Sequence, residues 1–218
     1  LITTAGGATA RGYNGIGGNL SISAAGNMEM MGSLLAGGSL VQSFGNDGHL
    51  LTQNVDWSGT LGTTTITTDG QAFIGGHTVN SQNQPTVTGG YIYSAANVTI
   101  TGGSSSDGNG VYIQGASEVV VHKADGHIQV NATQDAEIAG LLVAGGEVVQ
   151  IRDGSGTYQG RRINTFGGAS TLTIVAEDQI RVGVGLQAGA SIDLIGGDDP
   201  SGTGLILYGS AMLSTWME

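Results

Sequence analysis

The sequence predicts an all-β protein, a right-handed parallel β-helix of roughly ten coils, irregular at its N-terminal end. Three observations predict it. Apolar residues alternate with polar or small ones in segments of about three to six residues, as in Val98/Ile100, Val111/Ile113, Val119/Val121 and Ile128/Val130, and a period of two places one set on one face of a strand. Gly supplies 41 of 218 residues, far above the usual roughly 7%, with no three-residue period, so the segments are punctuated by corners and collagen is excluded. Equivalent strands recur at 19–25 residues: Val98 to Val119, Val119 to Ile138, Ile180 to Leu205. That spacing suits a coil of three short strands, each pairing about 4.8 Å from its counterparts above and below, so ten coils would make a rod on the order of 45–50 Å long. A β-sandwich would show longer strands and two-residue hairpin turns. Asn-Gly occurs only at Asn14-Gly15 and Asn109-Gly110, neither between two long strands.

Taken in order, residues 1–18 are Gly-rich and irregular, with one short strand at the start. NLSISAAGNMEMMG then supplies strands at Leu20/Ile22 and Met28/Met30, and GYIYSAANVTITGG from Gly90 repeats that strand, Ser-Ala-Ala, strand, Gly cassette. Met28, Met30 and Met31 read as gap-filling core residues. Residues 33–62 are less regular: Gly45–His49 is a turn, and Trp57 reads as an aromatic plug over irregular packing. TTTITTDG (63–70) is a polar β-branched strand with Ile66 inward. LLVAGGEVVQI (141–151) holds two strands, and RDGSGTYQGRR (152–162) is the longest polar excursion, predicted to protrude. The rhythm returns in STLTIVAEDQIRVGVG, ASIDLIGG and GLILYGS. The whole chain therefore reads as one repeat segment, less regular over 1–62 and more regular over 63–218. Ile100, Val121, Val130, Ile138, Ile174, Val182 and Leu194 are its expected inward residues.

Composition bounds the function. Apolar residues make up 39%, too many for a disordered tail, and charged residues only 11%, which suits ladders of uncharged side chains. A net charge of −11 argues against nucleic acid, whose phosphates require a basic patch. The chain has no cysteine, hence neither disulfide framework nor thiolate chemistry, and no run of about 18 apolar residues, hence no expected membrane insertion. Opening on LITTAGG, without a signal peptide, it reads as a piece of a longer protein. Both ends are uncharged and β-prone, so they are expected to pair with neighbouring segments of the same chain or with adjacent copies.

Cassettes such as GGNLSISAAGNMEM, VVVHKADGHIQVNATQDAEIAG and STLTIVAEDQIRV resemble the degenerate repeats in the shaft of filamentous-haemagglutinin-like giant bacterial surface adhesins, over most of residues 18–210. The family's secretion domain carries Asn-Pro-Asn-type motifs, and neither Pro85 nor Pro200 has that context. The resemblance thus implies a piece of shaft: a non-enzymatic structural or adhesive segment, secreted or on the outer cell surface, presenting loops to glycans or proteins.

Several residues invite a sharper reading. Tyr91, Tyr93, Tyr112 and Tyr158 are candidate ligand-binding aromatics, and Tyr91 and Tyr93 must face outward if Ile92 faces inward. Asp198-Asp199 offers the paired carboxylates of a polysaccharide-degrading β-helix. The Gly-His-Gly and Arg-x-Lys segments such enzymes carry are missing, and Pro200 makes a solvated turn the better reading. Calcium is the candidate cation, with Asp107, Asn109 and Asp153 as ligands in Asp/Asn-rich turns. An EF-hand counted from Asp107 would place its twelfth-position Glu at Glu118, but Val111 occupies position five. His49, His77, His122 and His127 lack zinc-site spacing. Arg161-Arg162 could clamp an acidic sugar or pair with Asp153, the second being the more ordinary outcome. Thr-x-Thr pairs at Thr65, Thr86, Thr99 and Thr171 suggest an ice-binding-like face, but intervals of 21, 13 and 72 residues speak against a common register.

Overall fold

The computed structural model describes residues 9–12, 18–45, 48–57, 62–79, 84–198 and 202–216. Among the described residues all regular elements are strands, and no helix is long and apolar enough to cross a membrane. Three sheets are built entirely of parallel strands. The first contains Leu20–Ala24, Thr63–Thr68, Asn97–Gly102, His127–Ala132, Thr171–Ala176 and Ser191–Gly196. The second contains Met28–Met30, Ala72–Ile74, Asn109–Ile113, Asp135–Ile138, Ile180–Val182 and Leu205–Leu207. The third contains Thr9–Gly12, Gly32–Ala36, Gly90–Ser94, Glu118–Val121, Leu141–Ala144, Gly185–Ala188 and Met212–Thr215.

From Leu20 onward the chain visits first, second and third sheet in that order, six times. Six rounds, rather than the roughly ten expected, follow from three hairpins that leave the cycle. Ser39–Phe44 with Leu50–Asp56 and Gly146–Arg152 with Tyr158–Thr165 are antiparallel pairs that join into one four-stranded sheet. Gly76–Val79 with Pro85–Thr88 forms a smaller hairpin. The 152–162 excursion is thus the turn and return strand of a hairpin, and within 1–62 the hairpin over 39–56 leaves the cycle, while the short strand expected at the very start lies outside the described residues. Residues 20–36 already form a regular round.

Side-chain columns explain the parallel register. In the first sheet Ile22, Ile66, Ile100, Val130, Ile174 and Leu194 are aligned strand by strand, beside a column of Ala24, Thr68, Gly102, Ala132, Ala176 and Gly196. β-Branched residues pack well on a pleated surface, and small ones fit where the chain turns a corner. Of the expected inward residues, Ile100, Val121, Val130, Ile138, Ile174 and Val182 are fully buried, and Met28, Met30 and Met31 are buried too. Leu194 is only partly so, because it lies in the last round, which no described strand covers. The same round leaves Leu205, Leu207, Met212 and Trp216 exposed.

The outward face of the first sheet corrects the threonine expectation. Thr65 and Thr67 lie directly beside Thr99 and Thr101, and Thr171 and Thr173 share their rows with Thr63 and Thr65. Hairpins take up the extra chain, so unequal sequence intervals still give common register. Those rows also contain His127, Gln129 and Asn131, while Thr86 and Thr88 lie apart in the small hairpin.

The third sheet differs in being covered twice. Leu34, Ile92, Val119, Leu142 and Leu186 enter the core shared by the three parallel sheets. Leu35, Tyr93, Val120, Leu141 and Val143 form a second buried cluster with Val55 and Val148 of the antiparallel sheet. Trp57 flanks this cluster and stacks on His122 at 4.8 Å, with Phe166 edge-on to the same imidazole. Burial lowers the His122 pKa, with Glu147 opposing the shift.

A candidate ligand cleft at the covered sheet

Where the antiparallel sheet lies over the third sheet, a cleft of about 350 Å³ opens, lined by Tyr91, Glu118, Gln150, Arg152, Tyr158 and Arg161. Its floor comes from neighbouring parallel strands, since Tyr91 is paired with Glu118. Its wall comes from the hairpin, where Arg161 is paired with Gln150 and Tyr158 with Arg152. Ser117 anchors the floor: its hydroxyl donates to Ile74 O at 2.8 Å and accepts from Gly90 N at 3.0 Å, one side chain tying two rounds together. Gly89 permits the approach, because a Cβ there would meet Ala116 O at 2.2 Å.

Glu118 is the electrostatic centre. It is 2% exposed. A buried carboxylate persists only when its oxygens are paired. Here Tyr93 Oη donates to Oε2 at 2.8 Å and Arg161 Nη1 donates to Oε1 at 3.1 Å. Burial, followed by the Glu118 charge and its acceptance of the phenol proton, pushes the Tyr93 pKa well up. Tyr91 is also raised, first by burial and then by Glu118, with Gln150 and Arg152 acting in the opposite direction. Arg152 Nη1 donates to Gly156 O at 3.1 Å, while its Nε is buried and has no hydrogen-bond partner. A second depression of about 280 Å³ shares Tyr91, Gln150 and Arg152 and extends past Ser33, Gln53 and Thr88.

Of the four candidate tyrosines, then, Tyr91 and Tyr158 share the cleft. Tyr93 does not present an exposed ring: it points away from the main core as its alternation with Ile92 requires, but the antiparallel sheet covers it and leaves it 4% exposed. Tyr112 lies on the outward face of the second sheet, stacked on Phe73 at 5.0 Å. Arg161 pairs with Glu118, not Asp153.

The calcium candidates are surrounded by donors. The Asp107 carboxylate accepts from the Ser105 hydroxyl, from Gln71 Nε2 and from Asn109 N. Asp153 accepts from Ser155 N, Ser155 Oγ, Thr157 N and Gln159 Nε2. A serine hydroxyl is the largest influence holding each of these carboxyl pKa values low. Such contacts close Asx turns, whereas a calcium shell needs converging oxygens. Asn109 Oδ1 is buried without a partner, and no group of three or more His, Cys, Asp or Glu side chains suited to a metal occurs among the described residues. Asp198 is exposed, and Asp199 lies outside the described residues.

Sequence reasoning singled out neither Gln150 nor Arg152 for binding, and weighed Glu118 only as the twelfth position of a calcium loop. A signal existed: EVVV (118–121) and LLVA (141–144) are apolar at consecutive positions, the mark of strands covered on both faces, and Glu118 is the one charge in those runs. Compared with known proteins, the chain matches no family model, no curated protein and no solved structure.

Proposed function

We propose that the chain is a non-enzymatic adhesive scaffold: a right-handed parallel β-helix of six coils that holds a ligand cleft, as a segment of a secreted or surface-displayed bacterial protein. The repeated visit to three parallel sheets supports the helical reading, since closure of each round is the simplest path through that strand order. Parallel units joined by crossovers are overwhelmingly right-handed, which supports the hand. At about 4.8 Å per round, six coils span roughly 25–30 Å. The bacterial surface setting rests on the resemblance to haemagglutinin-type shafts.

The observation that carries the binding role is the convergence of Tyr91, Tyr158, Arg152 and Arg161 on one cleft, from two sheets distant in sequence. Binding without turnover is the better reading because glycosidic cleavage usually needs two carboxyl groups across the bond. Among the described residues the cleft offers only Glu118, whose oxygens already accept from Tyr93 and Arg161. The test is an array of glycans and surface proteins probed with the purified chain and its Tyr158→Ala variant, alongside analysis for released product. Saturable retention, weakened in the variant and without product, is expected. No retention on any surface, or appearance of cleaved saccharide, overturns the reading.

A further inference from the structure

The cleft concentrates positive charge in an acidic chain. The sequence holds 6 Lys and Arg against 17 Asp and Glu. Two of those six bases, Arg152 and Arg161, face this cleft together with one carboxylate, Glu118. Arg161 is committed to that carboxylate. Arg152 makes no ion pair among the described residues. Its Nη1 is turned to the Gly156 carbonyl, and the side of the guanidinium bearing Nε has no acceptor at that nitrogen. A buried donor without an acceptor costs free energy, and a guanidinium edge is shaped for the two oxygens of a carboxylate.

We propose that the cleft binds a single carboxylate-bearing sugar, of uronate or sialate chemistry, with Arg152 receiving the carboxylate and Tyr91 and Tyr158 flanking the ring. The proposal rests on the binding role argued above and names its ligand class. Size agrees: about 350 Å³ is at the small end of ligand pockets. The adjoining depression, with Ser33, Gln53 and Thr88, offers hydroxyl and amide groups to neutral sugars attached to the acidic one. Charge decides between a lone acid and a polyanion. A chain carrying −11 repels a densely sulfated polymer at long range, whereas one carboxylate sees mainly the guanidinium it touches.

The experiment is calorimetric titration of the intact chain with four probes: a sialyl or uronyl oligosaccharide, its carboxyl-reduced alcohol, the neutral parent and a polysulfated heparinoid. The acidic sugar should bind at least about tenfold more tightly than its reduced counterpart, the scale of a charge-assisted pair. Arg152→Gln should abolish that difference, bringing the acid down to the affinity of its alcohol. Arg152→Lys, which keeps the charge but loses the planar fork, should retain only part of it. Arg162→Gln, in the partner strand of the same hairpin but outside the cleft, should behave as wild type, and unchanged melting temperatures verify that all three variants fold. Equal affinity for acid and alcohol, or acid preference surviving Arg152→Gln, overturns the carboxylate assignment while the binding role stands. Preference for the heparinoid also overturns it. Failure of every probe, together with no retention on the broader array, removes both readings.

Discussion

The first and third sheets run the same parallel ladder in the same molecule, yet only one of them gathers chemistry. On the first sheet, burial alternates strictly, as in Asn97–Gly102, and the outward rows are mostly hydroxyl and amide side chains, with Asp193, His127, Val175 and the exposed Ile195 among them. On the third, Glu118–Val121 and Leu141–Ala144 are buried at every position, because the antiparallel sheet covers the outward face. Covering excludes water, so a carboxylate such as Glu118 must recruit Tyr93 and Arg161, and the seam's open end becomes a cleft. A regular ladder alone makes a flat polar wall. A second layer laid across it makes a cleft.

The comparison breaks most readily at Val120, which faces the covering sheet. Val120→Asp should destabilise the chain by about 3–5 kcal/mol, the scale of an uncompensated buried charge, measured as a urea midpoint shift at unchanged slope. A loss below about 1 kcal/mol would mean that the antiparallel sheet does not seal this face.

Tyr93 sharpens it next. Tyr93→Phe removes a donor from a buried carboxylate and should cost about 1.5–3 kcal/mol. The hydroxyl also gives an alkaline signature. Its folded pKa is raised, so above about pH 10 the unfolded chain releases a proton that the folded chain keeps. The folded state then binds more protons, and stability falls as pH rises past the ordinary tyrosine range. The contribution is fully present below it. In Tyr93→Phe this decline should shrink, leaving those of Tyr91, Tyr112 and Tyr208, whose pKa values are also raised. Identical alkaline slopes in the two proteins would count against a buried Tyr93.

The smallest effect belongs to the open sheet. Thr65 is exposed between Ser21 and Thr99, so Thr65→Lys should change stability by no more than about 1 kcal/mol. A cost comparable to that of Val120→Asp would show that this face too is covered in solution.

The sequence alone determined the strand class, the period of two and the aliphatic columns, because alternation is a local property. Ile66, Ile100, Val130 and Ile174 declare their face without reference to anything distant. It also placed the turns at Asp107 and Asp153, whose carboxylates bind donors within a few residues. The number of rounds was not legible, because hairpins and rounds are built from equally short strands, and only pairing partners separate them. Nor was the burial of Tyr93: alternation says which way a side chain points from its own sheet, not what lies beyond it. That was decided when the hairpins at 39–56 and 146–165, about a hundred residues apart, paired through Gln53 and Gln150 and closed over the third sheet. The cleft, the pairing of Glu118 and the unmet edge of Arg152 all follow from that contact between distant segments, which no local pattern encodes.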